Sequence, residues 1–248
     1  MKVPPCYIHG MGMINALGAN ATEVASGLAG ASPLAHHALT LHDGRRVCVG
    51  AVTDALPALP AALMRHSTRN NRLLLAALRQ IEGEIAAAIA RFGAERVAVV
   101  MGTSTSGIDE ASQGIAHYLQ HQQFPADYSY QQQELSAPAT FLADWLNISG
   151  PAYVISTACT SSARALMSAQ RLLDMNLCDV VLCGGVDTLC KLTLNGFSAL
   201  EAVADERCNP FSVNRRGINI GEAAVLFVMS RQPAADHAIA LLGAGASS

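Results

Sequence analysis

The residues Pro151-Ala152-Tyr153-Val154-Ile155-Ser156-Thr157-Ala158 pass without a linker into a segment of helical spacing. The first part suits a buried strand, while Ala163, Leu166, Met167 and Leu173 recur with the period of a helix. A strand that feeds directly into a helix points to an α/β fold of packed layers. Cys159 stands at the junction. A thiol there lies at the positive end of the helix dipole and close to unpaired backbone N–H groups. Both favour the thiolate, the nucleophilic form. Small residues on either side let the chain turn sharply, by the same mechanics that raise a serine in the nucleophile elbow of hydrolases. Free cysteines are more often inert packing, but the polar run Thr160-Ser161-Ser162 directly after Cys159 offers a core filler nothing.

The rest of the chain follows the same alternation. Residues 6–13 read as a strand ending in glycines, 21–28 as a short helix and 36–52 as a mixed excursion. Residues 68–92 read as one long helix, with Leu73, Leu74, Ala77, Leu78, Ile81, Ile85, Ala88 and Ile89 on its apolar face and Gly93 as its stop. A strand over 96–101 runs into Gly102-Thr103-Ser104-Thr105-Ser106-Gly107. Residues 120–134 read as a surface loop, 137–146 as a helix, 179–183 as a strand closed by Gly184 and Gly185, and 206–219 as a polar loop. Strands over 221–230 and 238–244 give a hairpin-like finish. The pattern predicts a mostly parallel sheet covered by helices. A length of 248 residues with 51% hydrophobic content supports a substantial core. The sequence stops just after an apolar strand and reads as half of a larger unit.

Composition excludes several classes. Charged residues make up 14%, the net charge is −3, and no block of Lys or Arg occurs, which argues against a nucleic-acid partner. The seven cysteines are odd in number and form no C-x-x-C pair, so neither a disulfide framework nor a metal site is indicated. The N-terminus lacks a signal-peptide core, and no apolar run is long enough for a membrane span, making a reducing cytoplasm the expected location. Gly10-Met11-Gly12 imitates a dinucleotide fingerprint, but Asn15 stands where the third glycine belongs, and a tight turn is the better reading. The 102–107 segment lacks the Gly-Lys ending of a phosphate loop. It is a strand-to-helix turn or the wall of a substrate channel with Thr105 facing it. His117 and His121 are spaced i, i+4 without a third ligand, as on a solvated helix face. Asp187 and Glu222 read as structural, hydrogen-bonded carboxylates.

Five motifs in order resemble the β-ketoacyl-acyl-carrier-protein synthases of the thiolase superfamily. They are the opening Gly10-Met11-Gly12, Thr157–Ala163 around the cysteine, Gly184-Gly185-Val186-Asp187 with Gly196-Phe197 after it, the run from Asn209-Pro210-Phe211 to Gly221-Glu222-Ala223, and the closing glycines 243 and 245. The resemblance covers the whole chain and implies the N-terminal half of a thiolase-like α/β fold. That half is a mixed five-stranded sheet covered by helices, within an α-β-α-β-α complete enzyme, with residues 1–248 forming the N-terminal domain. It implies that Cys159 accepts the acyl group, that Thr105 and Phe197 belong to the acyl pocket, and that Arg69 and Arg72 lie near a docking patch for the acidic carrier protein. Two solvated arginines at a helix start are the plainer reading of that pair. No cofactor is implied, the substrate being carried on the phosphopantetheine of acyl-carrier protein. The implied partners are that carrier and a second synthase-like subunit, in a homodimer or heterodimer. The implied reaction is decarboxylative Claisen condensation, whose two histidines lie in the second half. Ser212, Arg216 and Ala223 depart from the family's usual residues and lean toward aryl-polyene or type II polyketide pathways. A chain-length-factor-like partner and a thiolase or other coenzyme A acyltransferase are the rival readings. Cys159 opposes the first, and the Pro210-Phe211 to Gly221-Glu222 run opposes the second.

Overall fold

The structure is a computed structural model that describes residues 5–29, 36–233 and 239–245; for residues 36 and 37 only the backbone is described. The chain forms β1 (Cys6–Asn15), α1 (Ala21–Ala29), β2 (His36–Thr40), β3 (Arg46–Gly50), α2 (Arg69–Arg79), α3 (Glu82–Phe92), β4 (Val97–Gly102) and α4 (Ile108–His121). It continues through α5 (Ala137–Leu146), β5 (Ala152–Ile155), α6 (Ser161–Asp174), β6 (Val180–Asp187), α7 (Lys191–Ala199), β7 (Ala223–Ser230) and β8 (Ile239–Leu241). The 36–52 excursion is the β2–β3 hairpin.

One mixed sheet dominates, in the order β5-β4-β6-β7-β1-β8. β4 pairs parallel with β5 and β6, while β7 runs antiparallel to both β6 and β1. The sheet therefore has six strands where five were expected, and its finish is not a hairpin. Both edges of β7 are occupied by β6 and β1, so β8 adds instead to the free edge of β1, with Cys6 opposite Leu241 and Ile8 opposite Ile239. Residue 238 of the expected last strand lies outside the described residues.

β4 is buried along its whole length, as a central strand covered on both faces must be. Its side chains alternate between two cores. Val97, Val99 and Met101 join Leu73, Leu74 and Leu78 of α2, Ile85 of α3 and Phe141 and Leu142 of α5. Ala98 and Val100 join Ala165, Ala169, Leu172 and Leu173 of α6, with Cys6, Cys178 and Cys183. On this second face Ile8, Tyr153, Ile155, Phe227 and Leu241 are only partly buried.

The expected long helix over 68–92 is two helices. Thr68 caps α2 by accepting the Asn71 N–H, and Gly93 closes α3 with φ of 87°. Between them the Gln80 side chain is drawn to the first strand: it accepts the Met13 N–H and donates to the carbonyls of Met13 and Ala19. Ile81 then leaves the helical region at φ −128°, ψ 24°. β6 also runs on through Gly184 and Gly185, which were read as its end. α4 and α7 carry so few buried residues that they leave little apolar periodicity to read: Ala111 and Gly114 in one, Leu194 in the other.

Gly12 of β1 lies so close to α2 that a Cβ there would overlap the Ala77 carbonyl oxygen, whereas a Cβ at Gly83 meets nothing within 4 Å. Gly12→Ala should therefore lower unfolding stability by about 1–3 kcal/mol. Gly83→Ala should raise it by up to about 1 kcal/mol. Urea unfolding midpoints of the two variants check both signs.

Candidate active site

Three loops meet at the C-terminal ends of β5, β4 and β6, the end of an α/β sheet where ligands bind. After β5 the chain turns through Ser156–Thr160, all exposed, before α6 begins at Ser161. Cys159 thus stands two residues ahead of the helix rather than opening it. The turn is an elbow. Ala158 holds φ of +52°, a left-handed conformation that costs a non-glycine residue about 1 kcal/mol or more. A dense set of hydrogen bonds holds it there. Ser161 Oγ accepts the Thr157 N–H at 2.9 Å and donates to the Ala158 carbonyl at 2.6 Å. The Thr160 hydroxyl donates to the Thr157 carbonyl at 2.9 Å. The N–H groups of Thr160 and Ser161 close the turn onto the carbonyls of Thr157 and Ala158. Cys159 is a free, exposed thiol, and among the described residues its own N–H makes no hydrogen bond.

The helix that follows lies on two glycines. Gly102 of β4 and Gly185 of β6 are directly paired in the sheet. A Cβ on Gly102 would come 2.5 Å from the Ser161 carbonyl carbon and 2.6 Å from the Ser162 nitrogen, and one on Gly185 would overlap the Ser162 hydroxyl. Glycine at both positions lets the first turn of α6 settle onto the sheet.

The loop after β4 is gathered by a single carboxylate oxygen. Asp187 Oδ1, at the end of β6, accepts from Ser104 N at 2.7 Å, Thr105 N at 3.0 Å, Thr105 Oγ1 at 3.0 Å and Thr103 Oγ1 at 3.1 Å. Ser104 Oγ reaches on to the Ala158 carbonyl at 3.4 Å, so the carboxylate is linked to the elbow through one residue. From the other side, the Gln132 carbonyl accepts from Gly107 N and Ser106 Oγ. The 120–134 segment read as surface loop is therefore folded, in its second half, against this turn, and Gln132 is buried.

The other candidate residues have different surroundings. Thr105 is buried rather than facing an open channel: its hydroxyl donates to Asp187 and accepts the Thr188 N–H at 3.0 Å. Phe197 of α7 packs against Leu41, Val47, Val49, Leu194 and Val203 beside the β2–β3 hairpin, apart from the elbow. Arg69 and Arg72 both carry internal hydrogen bonds. Arg69 binds Glu222 through Nε and Nη2 and also donates to the Val52 carbonyl. Those bonds outweigh burial and raise its pKa above the ordinary value. Arg72 donates to the carbonyls of Leu56 and Pro57. Both helix-start arginines thus anchor the 52–57 segment. Glu222, 3% exposed, also accepts the Val52 N–H, so it and Asp187 are hydrogen-bonded carboxylates that organise loops.

No histidine among the described residues hydrogen-bonds to the elbow. His9 engages Ser230, His66 engages Asp144 and His117 engages Gln123. His237 lies outside the described residues. The His117 and His121 rings lie side by side at 4.4 Å, and among the described residues no three His, Cys, Asp or Glu side chains converge to hold a metal ion. Among the described residues, no helix is long and apolar enough to cross a membrane.

Comparison with known proteins gives this geometry a context. Residues 7–235 match the family model described as beta-ketoacyl synthase, N-terminal domain. A chain of the solved complex of the ketosynthase ApeO with its chain length factor ApeC, from Xenorhabdus doucetiae, superimposes with a TM-score of 0.88 and 46% identity. The match covers 93% of this chain and 59% of that one. Nodulation protein E of Rhizobium meliloti is 35% identical over 95 residues, which are 38% of this chain and 24% of that protein. The 3-oxoacyl-[acyl-carrier-protein] synthase 2 of Rhizobium meliloti (strain 1021) is 31% identical over 88 residues, 32% of this chain and 21% of that one. The chain spans well under two thirds of the length of each. The fold is the α/β, thiolase-like fold of ketosynthases.

The cysteines divide by environment. Burial pushes the Cys178 thiol up to about 11 and raises Cys6 and Cys183 as well, so all three stay protonated at pH 8. Brief treatment of the folded protein with iodoacetamide at pH 8 should label Cys159 and leave these three unmodified. Peptide mass spectrometry reads the result.

Proposed function

The chain belongs to the β-ketoacyl synthase family through its N-terminal domain, and from that premise we propose that Cys159 is the acyl acceptor of a carbon–carbon bond-forming synthase. The observation that carries this reading is the elbow. It offers an exposed sulfur and, on the same residue, a backbone N–H with no hydrogen-bond partner among the described residues. A nucleophile and an oxyanion donor on the same residue are what thioester exchange requires.

The Cys159 thiolate attacks the carbonyl carbon of an acyl thioester carried on the phosphopantetheine of acyl-carrier protein. The Cys159 N–H donates to the oxygen as it gains charge. The bond to the pantetheine sulfur breaks, that sulfur takes a proton, and the acyl group stays on Cys159. A malonyl thioester then loses CO₂, and its α-carbon attacks the Cys159 thioester. The new carbon–carbon bond forms as the bond to Sγ breaks, returning the thiolate and a chain two carbons longer. The chemistry needs no metal or redox cofactor.

The histidines for decarboxylation are proposed to come from a second domain that completes the α-β-α-β-α architecture. The partly exposed apolar residues Ile8, Tyr153, Phe227 and Leu241 on the α6 face support a further layer there. A second synthase-like subunit is proposed at the opposite edge. β5 is an edge strand, and α4 and the loop after it expose Leu119, Phe124 and Tyr130. The ketosynthase–chain length factor relative favours a heterodimer and polyketide-type elongation over a housekeeping role. The free cysteines fit a reducing cytoplasm. Arg69, whose side chain keeps 40% exposure, and Arg72 are proposed to lie near the docking patch for the carrier protein. Thr105 and Phe197 are proposed to shape the acyl pocket indirectly, through the loop and helix they anchor.

Incubation of the intact protein with acyl-acyl-carrier protein should place an acyl adduct on the peptide carrying Cys159. No adduct there, or an equal adduct in Cys159→Ala, overturns the assignment.

A further inference from the structure

We propose that Ser161 is a positioning residue for Cys159, its hydroxyl stapling the elbow so that sulfur and N–H face the same carbonyl. The proposal rests on the reading of Cys159 as acyl acceptor.

Ser161 is 2% exposed, so its hydroxyl cannot exchange partners with solvent. Each of its hydrogen-bonding roles is filled within the elbow, one on each side of a single peptide unit. It accepts from Thr157 N and donates to Ala158 O. Those two atoms bracket the left-handed Ala158, φ +52°, whose rotation sets the direction in which the next residue leaves the turn. The next residue is Cys159. The staple is itself immobile, because the Ser161 backbone lies against Gly102 with no room for even a Cβ between them. Among the described residues, the only other side chain on the Ala158 carbonyl is Ser104, at 3.4 Å, too long to hold the turn alone. Without the Ser161 hydroxyl, the Thr157 N–H and the Ala158 carbonyl lose a shared partner, and the turn keeps only the Thr160 hydroxyl, the long Ser104 contact and the 3.1–3.3 Å backbone bonds of Thr160 and Ser161, a looser hold on the left-handed Ala158. The sulfur and the Cys159 N–H would then turn away from their common target. Misplacement of reacting groups by about an ångström costs up to two orders of magnitude in rate.

The test measures single-turnover acylation of Cys159 in the full-length protein, against carrier-protein concentration, for wild type, Ser161→Ala and Ser161→Thr. Ser161→Ala should lower the maximal rate on the order of tenfold or more and leave the half-saturating concentration within about twofold. Ser161→Thr, which keeps the hydroxyl, should restore most of the rate. Equal maximal rates for Ala and wild type overturn the proposal. So does a Thr variant as slow as Ala, or a change confined to half-saturation. Hydrogen exchange on the wild-type protein covers the case in which Ser161→Ala does not fold. The Thr157 amide should exchange far more slowly than the Cys159 amide, and equal exchange overturns the staple directly. A wild-type protein that is never acylated at Cys159 removes the functional reading on which the proposal stands, a result distinct from each of these.

Discussion

The first turn of α6 rests against the sheet at Gly102 and Gly185, and nothing larger than hydrogen fits at either place. Much of the site depends on that close approach. It sets the depth of Ser161 and Ser162, and Ser161 in turn fixes Thr157 and Ala158. The strain at Ala158 persists because the surroundings over-determine it, with hydroxyl bonds from Ser161 and Thr160 and backbone bonds from Thr160 and Ser161. Cys159 stands exposed on this construction, with the rest of the 156–160 turn. Its exposure follows from an elbow braced from below.

Two carboxylates extend the bracing sideways. Asp187 gathers the backbone and hydroxyls of residues 103–105, and through Ser104 it touches the elbow carbonyl. Glu222 ties Arg69 and the Val52 N–H together, fixing the start of α2 to the 52–57 segment. The strand ends β4, β5 and β6 and the start of α2 thus form a connected frame, with few apolar contacts and many directed bonds. Such a frame holds geometry well, whereas the two apolar cores hold the sheet together.

The strand before Cys159, the central strand β4 and the start and stop of the α2–α3 region were legible in the sequence because local signals agree there: β-branched runs, apolar helical periodicity from Thr68 and Gly93 as a stop. The break at Gln80 was not, since it arises from bonds to Met13 and Ala19, more than sixty residues away. α4 was legible only as a solvated helix face around His117 and His121, and α7 was missed, because most of their residues face away from the core. The glycines at 184 and 185 looked like a turn, yet they lie in β6, where the need for glycine comes from a helix crossing above. Arg69 and Arg72 illustrate the same limit, for their partners lie on segments that no spacing rule connects to them. Cys159 stood out as a candidate because its neighbours are small and polar, and Ser161 passed unremarked within that same run.

The central claim is that the elbow presents Cys159 sulfur and its N–H to one thioester carbonyl. Its most direct test is a crystal structure of the intact protein trapped with a thiol-reactive pantetheine carrying a carbonyl at the thioester position. The account predicts a covalent bond to Cys159 Sγ, with the trapped carbonyl oxygen within about 2.7–3.1 Å of the Cys159 nitrogen. A bond to another cysteine, or an oxygen turned away from that N–H with the elbow unchanged, would contradict it.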